Sequence, residues 1–293
     1  MRYLIPAAIA VAVTLVVIIV AWRLRAPEKP FTGESHIKLC MPLPAPFEID
    51  PQQLARAYQQ QWQRSLVCLE RLEQGEKQPA IHTYFVSDGK CSLLLSASRD
   101  ALPDLLINIA LATGGQLDAR QQGALKHSRG YLLIDQVIGS PIAPERAAFA
   151  TRVALALLRQ SKAVGCVNVS AQHYRPHARL ANWLKLKRLA SSDLATFLTS
   201  VEIDAKDHLL VTHGMEQFAL PDMEITITDP NAFSYYQGIL TIVTSRCIDH
   251  HETLKKGLVI HPLDGDAAFK IIPAPRVQEF QFGEFGAIAL QKQ

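Results

Sequence analysis

The sequence predicts an α+β fold in which a mainly antiparallel sheet has helices packed on one side, preceded by one N-terminal transmembrane helix. Three observations support this: an uncharged apolar run near the N-terminus, short apolar runs alternating with amphipathic stretches from residue 37 onward, and a hairpin signal between two of those runs. After residue 200 the order of predicted strands and helices is partly repeated, which suggests two similar halves. No repeat with a period of roughly 20–50 residues is visible, so solenoids and propellers are excluded.

The first apolar run, residues 3–22, is predicted to anchor the chain in a lipid bilayer. Its 20 residues carry no charge, and as a helix they span about 30 Å, the thickness of the hydrocarbon core. Tyr3 and Trp22 stand where interfacial aromatic residues belong, and Arg23 and Arg25 follow at once. A cleaved signal peptide is the alternative, but the length of the run and the lack of a small-residue cleavage site before the arginines favour a retained anchor.

The residues around this run predict the domain organisation and the location. The anchor takes residues 1–25, a linker containing Pro, Gly and Ser takes residues 26–36, and one α+β domain takes residues 37–293. More Lys and Arg follow the run than precede it, which favours a cytoplasmic domain. Five cysteines without a C-x-x-C pair favour free thiols in a reducing compartment. The predicted location is the bacterial inner membrane, single-pass, with the soluble domain on the cytoplasmic rather than the periplasmic side.

The first elements of the domain are a strand and a capped helix. Residues 37–43 form an apolar run of strand length. Asp50 and Pro51 then open a helix, because Asp is a favoured N-cap and Pro suits the first helical position. An apolar stripe runs at helical spacing from Leu54 to Leu69, so this helix is expected to present one face to a core.

The later elements follow from the same kinds of signal. An Asp-Gly pair at 88–89 joins strands 81–86 and 91–96 as a hairpin, and Gly114-Gly115 stops a helix. Residues 172–198 are interpreted as a helical insertion between strands. Further strands are expected over 131–138, 164–169, 201–203, 208–212, 223–227, 258–262 and 269–272, and helices over 102–113, 144–160 and 229–247.

The charge distribution argues against nucleic acid as a partner. The 293 residues include 30 Lys and Arg against 27 Asp and Glu, a formal net charge of +3. Residues 1–30 account for that excess, because they carry four basic side chains and one acidic. The rest of the chain is neutral overall, so it has no general basic field for binding phosphates. No cofactor is predicted, since the sequence has no Walker loop, G-x-G-x-x-G or G-x-S-x-G motif.

One segment resembles a known family. Residues 208–228 read HLLVTHGMEQFALPDMEITIT, and upstream HSRG at 127–130 precedes a predicted core strand. The pattern resembles the bacterial domain-of-unknown-function family 4261, although Ala219 stands where the family pattern has Gly. The resemblance implies the fold and carries no activity with it. The matching positions are Thr212, Gly214, Met215, Phe218, Pro221, Asp222, Glu224 and Ile225.

The same segment contains the densest polar cluster, which has two interpretations. The cluster consists of His213, Glu216, Asp222 and Glu224. One interpretation is an acid/base or metal site, because an imidazole and carboxylates can converge across one turn. The favoured interpretation is a tight connection in which Gly214 supplies an unusual backbone angle, Met215 and Phe218 fill the core, and Glu224 faces water.

Two weaker candidates lie upstream. His173 and His177 have the i, i+4 spacing that binds zinc on a helix, but Pro176 interrupts that face and no H-E-x-x-H pattern is present. A basic cluster at Lys185, Lys187 and Arg188 is suited to anionic lipid headgroups, although a solvated helix face explains it more simply.

The function predicted from these features is a membrane-anchored, non-enzymatic binding domain that presents a sheet or helix face to another protein. The anchor, the neutral domain and the lack of a catalytic motif favour it. The alternative is a membrane-tethered hydrolase or metal-dependent enzyme that uses His213 with the nearby carboxylates. A third hypothesis is a structural or envelope-associated component that the anchor only localises.

Overall fold

The computed structural model describes residues 37–71, 81–204, 208–250, 254–262, 267–274 and 285–293. The chain separates into two units, Met1–Glu34 and Ser35–Gln293, and every described residue lies in the second. The predicted anchor and linker therefore lie outside the described residues. No helix within the described ranges combines the length and hydropathy that a bilayer span requires.

The described unit is α+β with mainly antiparallel pairing, as predicted, and its strands form two sheets. Those of the first sheet, β1 to β7 in chain order, are Leu39–Leu43, Val67–Arg71, Ile81–Ser87, Cys91–Ser98, Gly130–Gly139, Gly165–Asn168 and His173–Pro176. They lie in the order β2-β3-β4-β5-β1-β6-β7, and every neighbouring pair is antiparallel. The first strand in sequence therefore lies inside the sheet, between two later ones.

The second sheet has six strands and one parallel pair. Its strands, β8 to β13, are Ser200–Asp204, Leu209–His213, Asp222–Thr226, Val259–Ile260, Phe269–Pro273 and Ala287–Lys292. They lie in the order β11-β12-β13-β10-β9-β8, with β10 and β13 parallel. The two sheets differ in strand number and in this pair, so the predicted similarity of two halves does not extend to their topology.

Helices pack on both faces of the first sheet, which corrects the prediction that they pack on one side. The α-helices, α1 to α7, are Pro51–Trp62, Asp104–Thr113, Ala119–Lys126, Ala143–Gln160, His177–Leu180, Ser191–Leu198 and Phe233–His250. Leu39 and Met41 of β1 share a core with α1 and α4, whereas Cys40 belongs to a separate core with α2 and α3. The physical reason is that every residue of β1 is buried and all but Pro42 are strongly apolar, so both faces of this strand need cover.

Helix α1 begins where the sequence predicts and ends earlier. The Asp50 carboxylate accepts hydrogen bonds from the backbone N–H groups of Gln52 and Gln53, at 2.9 and 3.2 Å. Gln63 adopts a left-handed conformation with φ of 54° and ends the helix. Leu69, predicted to continue the helical stripe, is instead an exposed residue of β2. The predicted apolar stripe therefore extends from helix α1 into strand β2 and does not belong to one helix.

Residues 172–198 are not a purely helical insertion. His173–Pro176 forms β7, which pairs antiparallel with β6. Burial alternates along β7, with Tyr174 and Pro176 inward, and this period of two is the strand signal that the helical interpretation overlooked. Helix α5, a 3-10 helix at Trp183–Lys185 and helix α6 follow it.

Candidate functional site

The predicted site residues surround the connection between β9 and β10. Strand β9 ends at His213, Gly214 follows with φ of 91°, and a 3-10 helix runs over Met215–Phe218. The next strand starts at Asp222, one residue after Pro221. Met215 and Phe218 are buried, so the connection folds back onto the core.

Two of the four candidate polar residues are not at the surface. Asp222 is 3% exposed and Glu224 is 1% exposed. The expectation that Glu224 faces water is therefore wrong. Strand β10 lies inside the second sheet between β9 and β13, and four of its five residues are buried, so the alternation expected of a half-exposed strand does not apply.

Asp222 ties the two ends of the connection together. Its Oδ1 atom accepts hydrogen bonds from the Thr212 hydroxyl at 3.3 Å and from the Met215 N–H at 3.2 Å. The same Thr212 oxygen accepts a hydrogen bond from the Met223 N–H at 2.7 Å. Buried polar groups with such partners hold a loop in one geometry, because losing one partner leaves another group unsatisfied.

A second buried network joins this connection to the first sheet. The Gln217 amide donates to the carbonyl oxygens of Leu198 at 2.7 Å and Gly214 at 3.1 Å. Asn168, at the end of β6, donates to the same Leu198 carbonyl and to Gln217 Oε1, at 2.8 and 3.2 Å. Its own Oδ1 accepts from the Ala171 N–H at 3.1 Å. Asn168 and Gln217 were not predicted as site residues; the one signal for them in the sequence is an amide directly beside apolar residues.

His213 is directed to a different partner. Its Nε2 atom lies 2.8 Å from Glu202 Oε2 on the neighbouring strand β8. The Glu202 side chain is 58% exposed, so this pair lies at the solvent side of the connection. Among the described residues, no group of three or more His, Cys, Asp or Glu side chains is placed to hold a metal ion.

The titration of Asp222 is the one electrostatic feature here that resembles a catalytic group. Burial raises the pKa of this carboxyl from its ordinary 3.8 to about 6, and the nearby Glu216 adds to the rise. The Met215 N–H, His213 and the Thr212 hydroxyl oppose it. A carboxyl that titrates near neutral pH is suited to acid/base work. Asp222 does not line the surface cavity of about 650 Å³ or the smaller one of about 250 Å³.

We expect the ionisation of Asp222 to destabilise the fold as pH rises. Its pKa of about 6 in the folded state lies above the ordinary value of 3.8. The folded state therefore keeps the proton up to a higher pH than the unfolded state does. The free energy of unfolding should thus fall between pH 4 and 6, by about 3 kcal/mol at 1.36 kcal/mol per pKa unit. Asp222→Asn, which keeps an acceptor oxygen, should remove this fall. Urea unfolding of the wild type and of Asp222→Asn from pH 4 to 7 measures this fall. Parallel pH profiles of unfolding free energy for the two proteins would refute its assignment to Asp222.

The weaker sequence candidates differ in exposure: His173 and His177 are partly buried, whereas Lys185, Lys187 and Arg188 are exposed. His173 lies on β7 rather than on a helix, and burial, together with Arg175 and Arg179, lowers its pKa to about 4. Burial raises the pKa of the Cys166 thiol to about 12, against the effect of Arg175. All five cysteines are free. A protonated, buried thiol is a poor nucleophile.

The structure has one exposed apolar surface that was not predicted from the sequence. We call it the outer face; it consists of Val67, Leu69, Ile81, Phe85 and Leu94, on β2, β3 and β4. The first four side chains are 41–59% exposed. Leu69 lies opposite Phe85, and Phe85 lies opposite Leu94, so the row is continuous across three strands. On the same side of the sheet, helices α2 and α3 share a buried core with residues of β1, β5, β6 and β7.

The comparisons with known proteins give no relative. No protein-family model matches the chain, and no curated protein or solved structure matches it either.

Proposed function

We propose that this protein is a membrane-anchored, non-enzymatic binding domain that takes up an extended segment of another protein beside strand β2. Anchoring through residues 3–22 rests on the apolar run in the sequence. The observation that carries the binding proposal is the outer face, which runs directly up to a sheet edge.

The free edge of β2 supplies the backbone part of such a site. Among the strands that the structure describes, β2 is the first in its sheet and pairs with β3 on one side only. An edge strand presents backbone N–H and C=O groups that accept a further strand. At the opposite edge, by contrast, Arg175 of β7 donates to the carbonyl oxygens of Phe197 and Thr199 at the end of α6, at 3.4 and 2.9 Å.

The outer face supplies the side-chain part and defines the partner. Because Val67 and Leu69 are two residues apart, both project from the same face of β2. A strand added beside them places every second side chain next to this row. The partner segment is therefore expected to be extended, with apolar residues at alternate positions and no Pro where it pairs, the pattern of strand addition.

Crosslinking in cells tests this proposal. A photoreactive amino acid at position 67 of the full-length chain should crosslink to a segment of the stated pattern, mapped by mass spectrometry. Leu69→Lys should abolish the crosslink. Ile203→Lys is the matched control, because Ile203 is also an exposed apolar residue on an edge strand, β8, and is 54% exposed against 59% for Leu69. Both variants should keep their stability within about 0.5 kcal/mol.

Three results would contradict the proposal. The first is the lack of any crosslink above that of a photoreactive group at position 203. The second is an equal loss of crosslink in both lysine variants. The third is a crosslink between positions 67 of two copies, which would make the outer face a homodimer interface.

The second candidate function is the membrane-tethered hydrolase or metal-dependent enzyme, and the pKa of Asp222 near 6 is the observation that favours it. If His213 and Asp222 form its site, His213→Ala should abolish the cellular phenotype at an unchanged protein level. A phenotype that survives His213→Ala but not Leu69→Lys supports the binding function.

The location and the family complete the proposal. A bacterial inner-membrane protein with its domain in the cytoplasm agrees with the charge flanking residues 3–22 and with five free thiols. Membership of the domain-of-unknown-function family 4261 stays a prediction. In this chain the motif position Ala219 has φ of 57°, a left-handed conformation that glycine adopts without strain.

A further inference from the structure

A cavity of about 650 Å³ opens on the surface where the end of helix α4 meets helix α5 and the 3-10 helix at Trp183–Lys185. Its volume lies within the range of about 300–1,000 Å³ that is typical of small-molecule sites. It is separate from the outer face and from the β9–β10 connection.

The charge of the cavity has one sign. Its lining includes the side chains of Arg159, Lys162 and Lys185 together with the imidazole of His177, and it includes no Asp or Glu. Within the described part of the chain, none of the four side chains forms an ion pair with a carboxylate. This local excess of positive charge contrasts with the overall neutrality of residues 31–293.

One of the residues that line the cavity carries a buried hydroxyl group. Ser161 is 5% exposed, and its Oγ atom has no hydrogen-bond partner among the residues that the structure describes. A buried polar atom without a partner costs free energy of about 1–3 kcal/mol, and a hydrogen bond from Ser161 to a ligand in the cavity would offset this cost.

The walls of the cavity are held in place by a buried amide. Gln61, 1% exposed, donates to the carbonyl oxygens of Leu184 and Leu186 at 3.4 and 3.2 Å. Its Oε1 atom accepts a hydrogen bond from Arg159 at 3.3 Å. One side chain of α1 therefore fixes both the guanidinium on one wall and the segment that carries Lys185 on the other. Charged groups held before a ligand arrives bind it with a smaller loss of conformational entropy.

We propose that this cavity binds a small phosphate-bearing ligand, with Arg159, Lys162 and Lys185 neutralising the phosphate groups and Ser161 donating a hydrogen bond. Guanidinium and ammonium groups form their strongest hydrogen bonds with phosphate oxygens. Leu158 and Leu184 also line the cavity and offer an apolar wall to the remainder of the ligand. The phosphate belongs either to a soluble metabolite or to the headgroup of an anionic lipid, since both present the same chemistry.

Calorimetry on the full-length chain in a non-ionic, phosphate-free detergent tests the soluble source, with pyrophosphate as the probe at constant ionic strength. Lys162→Glu and Lys185→Glu should each weaken binding by at least about tenfold, because each removes a charge-assisted hydrogen bond. Lys126→Glu is the matched control, since Lys126 is an exposed lysine at the end of α3 outside the cavity. It makes the same charge change and should leave the affinity unchanged.

Ser161→Ala separates a binding role from a structural one. Removing a buried hydroxyl group without a partner should leave the melting temperature of the ligand-free protein unchanged or higher. The same variant should weaken pyrophosphate binding several-fold. A lower melting temperature with unchanged affinity would assign Ser161 to the fold and not to the site.

The lipid source is tested in nanodiscs of phosphatidylcholine, with and without phosphatidylglycerol. A rise in melting temperature that needs phosphatidylglycerol, and that Lys162→Glu removes, identifies a lipid headgroup as the ligand even where pyrophosphate does not bind. Pyrophosphate binding without this rise identifies a soluble ligand. The absence of both effects, or their equal loss in Lys126→Glu, overturns the proposal.

Discussion

Gly214→Val is expected to unfold the domain or to destabilise it by more than about 4 kcal/mol, which few single substitutions do. Two effects add. The backbone at Gly214 has φ of 91°, where a β-branched residue pays about 1–3 kcal/mol of strain. A Cβ atom there would also lie 2.8 Å from the Ala171 Cβ, the Gln217 Nε2 and the Leu198 carbonyl oxygen. The Gln217 and Leu198 atoms belong to the buried network that joins the two sheets, so they cannot move apart freely.

Gly89→Val is the matched control for this variant. Gly89 has φ of 88°, nearly the same backbone angle, but no atom lies within 4 Å of the position that its Cβ would take. It should therefore lose only the strain energy, about 1–3 kcal/mol. Urea unfolding of both variants separates strain from overlap, and equal losses would show that overlap at Gly214 is relieved by small shifts.

Loss of the neighbouring polar side chains should be mild by comparison. His213 pairs with the exposed Glu202, and an exposed pair contributes about 0–1 kcal/mol. Glu216 is partly exposed. Both His213→Ala and Glu216→Ala should keep the fold. A His213→Ala protein that melts far below the wild type, beside a Gly214→Val protein that does not, would refute this account of the connection.

Trp62→Ala is expected to destabilise the domain by about 3–5 kcal/mol. Trp62 is the last residue of α1 and is 6% exposed. Its Nε1 atom donates to the Arg152 carbonyl oxygen of α4 at 3.3 Å. Truncation therefore leaves a cavity between two packed helices and removes a hydrogen bond. Thermal unfolding at fixed pH measures the loss.

Gln60→Ala is the control for Trp62. Gln60 lies in the same helix and is exposed, so its replacement by alanine should change stability by no more than about 0.5 kcal/mol. Equal shifts in melting temperature for the two variants would mean that α1 does not bury the face that carries Trp62.

The local signals of the sequence predicted those elements that depend on a few neighbouring residues. Asp50 caps α1, and the Asp88-Gly89 pair turns between β3 and β4 because Gly89 accepts a positive φ. Such signals act within one turn of the chain, so they do not depend on the rest of the fold. The end of α1 was missed because a left-handed Gln63 carries no strong sequence signal.

Features that depend on distant residues were not predictable in this way. The buried position of Glu224 results from its place between β9 and β13, and β13 starts more than sixty residues further along the chain. The positive cavity is not visible in any short stretch of sequence, because Arg159 lies in the last turn of α4 and Lys162 just after it, while Lys185 comes from another segment. Gln61, which joins those segments, lies about one hundred residues before Arg159. Burial and long-range contacts, not local propensity, decide these features.

The parallel pairing of β10 with β13 has a consequence for biosynthesis. Strand β10 can pair with β9 as soon as both strands have been synthesised. Its other edge has no partner until β13 has been made. About sixty residues separate the two strands in the chain, which at about 5–20 residues per second takes the ribosome several seconds. Throughout that interval we expect the nascent chain to expose the unpaired backbone edge of β10. Chaperone binding to nascent chains should therefore persist until β13 has emerged and then cease.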